Sequence, residues 1–121
     1  MGEIILGTGV DITEVSRLRK AVEKWGVDFL SRVFTPKEME SAEKRGSQYQ
    51  HLAGRFAAKE AVFKALGNRD LAWQDVEIVN DADGRPHCTI KNGKAKNKHV
   101  HVSISHVKNY AVANAVVTQK S

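Results

Sequence analysis

The residues that could do chemistry begin with a carboxylate on an apolar face of a predicted helix. The segment Gln48–Leu66 is rich in alanine and lacks proline, so it predicts one long helix that ends at Gly67. At about 100° per residue, Glu60 falls on the same face as Phe56 and Phe63. Burying an unpaired carboxylate is costly, so Glu60 should be paired, protonated or bound to a metal.

Two partners for Glu60 are open. A salt bridge to Lys64, one helical turn further on, is the simpler one, since Glu-to-Lys pairs in this order are favourable. The other is a Mg²⁺ ion shared with Asp11, which follows a glycine-containing strand. Mg²⁺ is a hard ion that keeps waters and often adds substrate phosphate oxygens, so two carboxylates suit it. Asp11 also directly precedes a predicted helix, which it could cap instead.

A serine and histidine motif ends another predicted strand. In Ser-Ile-Ser-His at 103–106, alternation places His106 on the face of Ile104 and both serines on the other. The histidine is either a structural hydrogen-bonding group or part of a site. The sequence has no Gly-x-Ser-x-Gly elbow, no paired cysteines, no phosphate-loop lysine and no dinucleotide fingerprint. Serine hydrolases, structural zinc sites and the common nucleotide folds therefore have little support.

Helix and strand signals predict the elements that must position these residues. The predicted strands are 4–10, 76–79, 88–90, 99–105 and 110–117, and the predicted helices are 12–25, a segment from 36 to about 46, and 48–66. Thr35 and Glu38 form a capping-box pattern at the start of the middle helix. Gly7 and Gly9 permit another backbone or a ligand to approach the first strand closely. We expect one α+β domain over residues 1–121, with a largely antiparallel sheet packed by the long helix and shorter helices.

The composition is that of a globular chain with an anionic partner. Of 121 residues, 41% are hydrophobic, and 19 basic against 14 acidic side chains give a net charge of +5. No apolar run approaches the roughly 20 residues of a membrane span, and no export signal is evident. The lone Cys88 favours a cytoplasmic location. The run Lys91, Lys94, Lys96 and Lys98 is either a solvated loop or part of a small nucleic-acid-binding module, although no stacking aromatics accompany it.

Three separated segments together resemble the acyl carrier protein synthase family of small phosphopantetheinyl transferases. They are Gly-Val-Asp-Ile at 9–12 with Arg17 beyond it, Arg-Phe-Ala-Ala-Lys-Glu-Ala-Val-Phe-Lys-Ala at 55–65 followed by Gly67, and Ser-Ile-Ser-His at 103–106. Phe-Thr-Pro-Lys-Glu at 34–38 and Gly-Arg-Pro at 84–86 are similar to further elements of the family. The resemblance runs in order along nearly the whole chain.

The resemblance implies a reaction and a metal. The arm of coenzyme A, 4′-phosphopantetheine, would pass to a serine of apo acyl carrier protein and release adenosine 3′,5′-bisphosphate, in support of fatty acid biosynthesis. Asp11 and Glu60 would bind Mg²⁺, and Lys64 would contact phosphate oxygens. Glu60, directly or through a metal-ordered water, would accept the serine proton.

The resemblance also implies binding residues and an assembly. The expected contacts are Arg55, Gly67, Pro86, Ser105 and His106 for coenzyme A, and Arg17 for the acidic carrier protein. The family is typically a homotrimer with sites between chains, so a homotrimer in the cytoplasm is expected. Neither a membrane nor a nucleic acid is an expected partner.

Overall fold

The computed structural model describes residues 2–67 and 70–120, in which one long helix packs against two antiparallel sheets. The α+β class expected from the sequence is confirmed. The elements in chain order are β1 (Glu3–Glu14), α1 (Val15–Trp25), α2 (Val27–Val33), α3 (Pro36–Glu43), α4 (Gln48–Leu66), a 3₁₀ turn (Trp73–Asp75), β2 (Val76–Asn80), β3 (Pro86–Ile90), β4 (Lys98–His106) and β5 (Tyr110–Lys120).

The larger sheet has three antiparallel strands in the order β1-β5-β4, and β2 and β3 form a separate hairpin. Helix α4 lies across the three-stranded sheet. The core between them is built mostly of small side chains: Ala57, Ala58, Ala61, Val62, Ala113, Ala115 and Val117. Small side chains on both sides bring the helix close to the sheet. No helix in the described parts of the chain combines the length and the apolar character needed to cross a bilayer.

The closest approach of helix and sheet is at the two glycines of β1. A Cβ atom at Gly7 would overlap the carbonyl oxygen of Ala65, and one at Gly9 would overlap that of Ala61. Both obstacles are backbone atoms, which cannot rotate away as a flexible side chain would. The expected close approach of another backbone is thus confirmed, and that backbone is α4.

A buried ion pair joins α4 to the shorter helices. The ammonium of Lys59 lies 2.7 Å from Oε1 of Glu38, and both side chains are fully buried. Lys59 also donates to the carbonyl oxygens of Val33 at 2.7 Å and Trp73 at 3.0 Å. Burial lowers the pKa of Lys59, while the Glu38 carboxylate opposes that shift. The three oxygen partners therefore replace the water that the ammonium loses.

The other end of this ion pair fixes the start of α3. Oε1 of Glu38 accepts from the backbone N–H of Thr35 at 2.9 Å, and Oγ1 of Thr35 accepts from the backbone N–H of Glu38. The predicted capping box is confirmed. Oε2 of Glu38 accepts from the N–H of Ile78 at 2.7 Å, so the same carboxylate also holds β2.

The first strand and the first helix meet later than predicted. Strand β1 pairs with β5 as far as Glu14, opposite Tyr110, and α1 begins only at Val15. The prediction of a helix from residue 12 is therefore wrong, because Ile12 belongs to the strand and its side chain is 68% exposed. Asp11 does not cap a helix: the N-cap position is Glu14, three residues further on. Pairing with β5 outweighs the helical spacing of the apolar residues here.

Other boundaries differ less. Segment 27–33, which lies between two predicted helices and was assigned to neither, is helix α2, and α3 ends at Glu43 instead of near 46. Helix α4 has the predicted bounds and ends at Gly67, whose φ of 62° is left-handed and favours glycine. Strand β4 alternates as predicted, with Ile104 turned inward and both serines outward.

Replacing Lys59 with methionine should destabilise the protein strongly. The change leaves the buried Glu38 carboxylate without its cation, which typically costs about 3–5 kcal/mol. The free energy of unfolding in urea measures the effect. Lys44→Met is the matched control, because the Lys44–Glu40 pair lies at the surface with both side chains mostly exposed. A loss for Lys59→Met no larger than that of the control would contradict this account.

Candidate active site

Four of the predicted site residues line one cleft of about 370 Å³ between β1, α1 and α4. Asp11 comes from β1, Arg17 from α1, and Glu60 and Lys64 from α4. The single helical turn between Glu60 and Lys64 places both on the face that lies against β1. The structure thus brings together the two carboxylates that the sequence alone could not place near each other.

Asp11 is held by two different groups. Its Oδ2 accepts from the hydroxyl of Thr13 at 2.9 Å, and its Oδ1 lies 3.4 Å from Nζ of Lys64. The same ammonium donates to the carbonyl oxygen of Val10 at 2.9 Å. Among the described residues, Lys64 therefore pairs with Asp11 and not with Glu60, and the simpler alternative of a Glu60–Lys64 salt bridge is wrong.

Glu60 is partly buried and lies within the electrostatic reach of a second carboxylate. Burial raises its pKa, the negative charge of Asp11 raises it further, and the nearby Lys64 opposes both. Two carboxylates that repel each other across a cleft are a favourable place for a divalent cation.

The donor set fits Mg²⁺. Carboxylate oxygens are the hard ligands that this ion takes from proteins, and the Thr13 hydroxyl fixes the orientation of the Asp11 carboxylate. Within residues 2–67 and 70–120, no group of three or more histidine, cysteine, aspartate or glutamate side chains could enclose a metal. Two carboxylates leave positions for water or for oxygens of a substrate, as Mg²⁺ sites commonly do.

A second, basic cleft of about 180 Å³ holds another part of the predicted site. Arg55, Pro86 and His106 line it, and it shares no lining residue with the first cleft. Arg55 is almost fully buried, and its guanidinium donates to Oδ1 of Asn80 at 2.7 Å. Its Nε has no hydrogen-bond partner. A buried cationic donor without a partner favours an anion at this cleft.

Sequence reasoning missed three polar side chains of the basic cleft: Arg45, His51 and Asn80. Burial, and after it the charges of Arg55, Arg45 and His106, together lower the pKa of His51 to about 4. His51 is therefore neutral at pH 7. The signal available in the sequence was its position one helical turn before Arg55 on α4.

Two predicted contacts, Ser105 and Gly67, lie apart from the carboxylates. Ser105 is exposed on the outer face of the sheet opposite Val112, and Gly67 ends α4; neither lines either cleft in this chain. Arg17 is exposed at the wall of the first cleft.

Comparison with known proteins assigns the chain to a superfamily. The model of the 4′-phosphopantetheinyl transferase superfamily matches residues 7–115. The chain belongs to this superfamily. A holo-[acyl-carrier-protein] synthase of Thermodesulfovibrio yellowstonii is 45% identical over 95% of this chain and 100% of the relative. One of Halothermothrix orenii is 40% identical over 93% of this chain and 97% of the relative. The resemblance found in the sequence is confirmed.

Solved structures of superfamily members have the same fold. A Bacillus anthracis holo-(acyl-carrier-protein) synthase in complex with CoA (3′,5′-ADP) has a TM-score of 0.83 and 37% identity, covering 96% of this chain and 98% of that one. A Helicobacter pylori synthase in complex with coenzyme A has a TM-score of 0.83 and 31% identity, covering 91% and 98%.

The buried His51 should make stability depend on pH. The unfolded chain protonates this histidine near pH 6.5 and the folded chain only near pH 4, so stability should fall as pH drops through that window. His51→Asn should remove this part of the pH dependence, which the urea midpoint at pH 7.0, 5.5 and 4.5 measures. His99→Asn is the control, since His99 is exposed. Equal pH dependence of wild type and His51→Asn would contradict the assignment.

Proposed function

We propose that this protein transfers the 4′-phosphopantetheine arm of coenzyme A to a serine of apo acyl carrier protein. The observation that carries the proposal is the pair of carboxylates, Asp11 and Glu60, with the Lys64 ammonium in one cleft. Relatives at 40–45% identity are named holo-[acyl-carrier-protein] synthases, and two structures with this fold were solved with coenzyme A or its nucleotide part. The names of the relatives indicate the reaction, and the cleft contains carboxylates and an ammonium suited to it.

Asp11 and Glu60 would hold Mg²⁺ in this reaction. When bound, the ion neutralises the diphosphate oxygens of coenzyme A and makes adenosine 3′,5′-bisphosphate a better leaving group. Thr13 keeps Asp11 in place through its hydroxyl. Lys64 adds a second positive charge for the phosphate oxygens, on a stem long and exposed enough to reach them.

Glu60 is the proposed base. The carrier serine Oγ forms a bond to the phosphorus that bears the pantetheine arm, while the bond from that phosphorus to the bisphosphate oxygen breaks. The serine proton passes to the Glu60 carboxylate. Glu60 lies in the same cleft as Asp11 and Lys64, where a hydroxyl group that enters the cleft can reach its carboxylate. Arg17, exposed at the cleft wall, would contact the acidic carrier protein.

The basic cleft would bind the nucleotide phosphates of coenzyme A. Arg55 and His106 line it beside Pro86, whereas the carboxylates line the other cleft. A homotrimer in which the basic cleft of one chain faces the carboxylates of its neighbour would complete the site, and it would also bring Ser105 and Gly67 to the ligand. The outer face of β1 offers an apolar contact surface: Ile5, Val10 and Ile12 are all at least 58% exposed.

The same proposal places the reaction in the cytoplasm, in support of fatty acid biosynthesis, with the lone Cys88 unable to form an internal disulfide. The alternative of a nucleic-acid-binding module is not supported. Lys91 and Lys94, half of the lysine run, pair with Glu77 at 3.4 Å and Asp75 at 2.9 Å, so their charges are already partly balanced.

Glu60→Gln should remove most of the transfer while the fold stays intact. The amide has nearly the same volume but neither accepts the proton nor binds a cation well, so the rate should fall by about 100-fold or more. Intact-mass spectrometry of the carrier, incubated with coenzyme A and Mg²⁺ with and without a chelator, measures the transfer. Glu43→Gln, an exposed change on α3, is the control. Wild-type-like transfer by Glu60→Gln would count against this mechanism.

Ile12→Lys should break the assembly. Placing a charge on the outer face of β1, where Ile12 is 68% exposed, would be costly only if another chain covers that face. Sedimentation should show a trimer for wild type and smaller species for the variant, with loss of transfer. Val27→Lys changes an equally exposed apolar residue, 76% accessible, at the start of α2 and should remain trimeric. A trimer for Ile12→Lys would exclude β1 from the interface.

A further inference from the structure

The Lys64 ammonium is held on the strand that carries one of the two carboxylates. It points back onto β1, where it donates to the Val10 carbonyl at 2.9 Å and lies 3.4 Å from Oδ1 of Asp11. These two acceptors use two of the three N–H donors of the ammonium. The inference below rests on the proposed function, since it concerns the same carboxylates.

Lys64 pairs with one of the two negative charges that a divalent cation would bind, the carboxylate of Asp11. Thr13 takes one carboxylate oxygen of Asp11, and Lys64 takes the other. A cation that binds Oδ1 of Asp11 therefore meets an ammonium already at that atom, and the two positive charges repel each other. Glu60 has no ion-pair partner among the described residues, so it gives up no ion pair when the cation enters.

We propose that Lys64 is an internal competitor for the divalent cation: its ammonium holds Asp11 in the metal-free protein and is released toward an anionic substrate group when the cation binds. The divalent cation and the Lys64 ammonium thus bind the Asp11 carboxylate in alternation, not together. Binding of a cation would therefore also favour phosphate binding, because the released Lys64 ammonium could pair with a phosphate oxygen.

The exchange requires little rearrangement. The side chain of Lys64 is 54% exposed and turns on a flexible stem, so the ammonium can leave Asp11 without unpacking the helix. Exposed ion pairs are weak, so the competition should lower the affinity of the metal-free protein for a cation by about two- to fivefold. That is small enough for a cation to overcome and large enough to measure.

Mn²⁺ is a suitable probe because its binding to the whole protein can be followed by electron paramagnetic resonance without coenzyme A. Lys64→Met should bind Mn²⁺ about two- to fivefold more tightly than wild type. Lys108→Met is the matched control, because it removes the same charge from a loop that lines a different cleft. Affinity for Lys64→Met equal to or weaker than that of the control, or no measurable Mn²⁺ binding in either protein, would overturn the proposal.

A titration with Mg²⁺ tests the release directly. In protein labelled with ¹³C at the lysine Cε atoms, the Lys64 signal is assigned by its absence from Lys64→Met. That signal should shift with added Mg²⁺, whereas the Lys108 signal, assigned in the same way, should not. A Lys64 signal that stays fixed at saturating Mg²⁺ would also overturn the proposal.

These measurements separate this inference from the proposed function. Transfer by the wild-type protein together with an unaltered Mn²⁺ affinity in Lys64→Met rejects the competition alone. Tighter Mn²⁺ binding by Lys64→Met without any transfer by wild type rejects the proposed function and leaves the competition standing.

Discussion

The buried ion pair between Lys59 and Glu38 is the interaction on which the arrangement of the helices depends. Two charges removed from water are tolerable only when their remaining hydrogen-bonding capacity is used, and here backbone groups of α2, α3, β2 and the 3₁₀ turn use it. Because Lys59 must point into this network, the rotation of α4 about its axis is fixed. The next residue, Glu60, is then turned toward β1 and the cleft.

The two clefts have opposite electrostatic character, and this division matches a long ligand with separated anionic groups. One cleft is lined by three carboxylates, those of Asp11, Glu14 and Glu60, and by two cationic groups, those of Arg17 and Lys64, an arrangement that gains by adding a cation. The other holds a buried guanidinium with an unpartnered Nε and a histidine kept neutral by its surroundings. An anionic group bound there would pair with the guanidinium groups of Arg45 and Arg55, which repel each other in its absence.

Local signals in the sequence were enough for some elements and not for others. Helix α4 and the capping box of α3 depend on residues that are close in the sequence. The bounds of α4 and the two hydrogen bonds of the capping box were therefore both predicted correctly. The end of β1 depends on pairing with β5 far along the chain, and the apolar spacing after Asp11 suits helix and strand alike. The burial of Lys59 was equally hidden, because its partner lies on another helix. The assignment of Asp11 and Glu60 to one site depended on the resemblance to a family, because sequence spacing does not determine the distance between residues on separate elements.

The contact of Gly7 and Gly9 with the carbonyl groups of α4 has a consequence for how this site tolerates change. The gap between the carboxylates is set where two main chains touch, not where side chains fill a core. Core residues can therefore be exchanged for others of similar volume with little effect on that gap. A single added methyl group at either glycine would instead push β1 and α4 apart. The distance between the Asp11 carboxylate on β1 and the Glu60 carboxylate on α4 would then increase. Two positions that touch no substrate thus act as the spacer of the site.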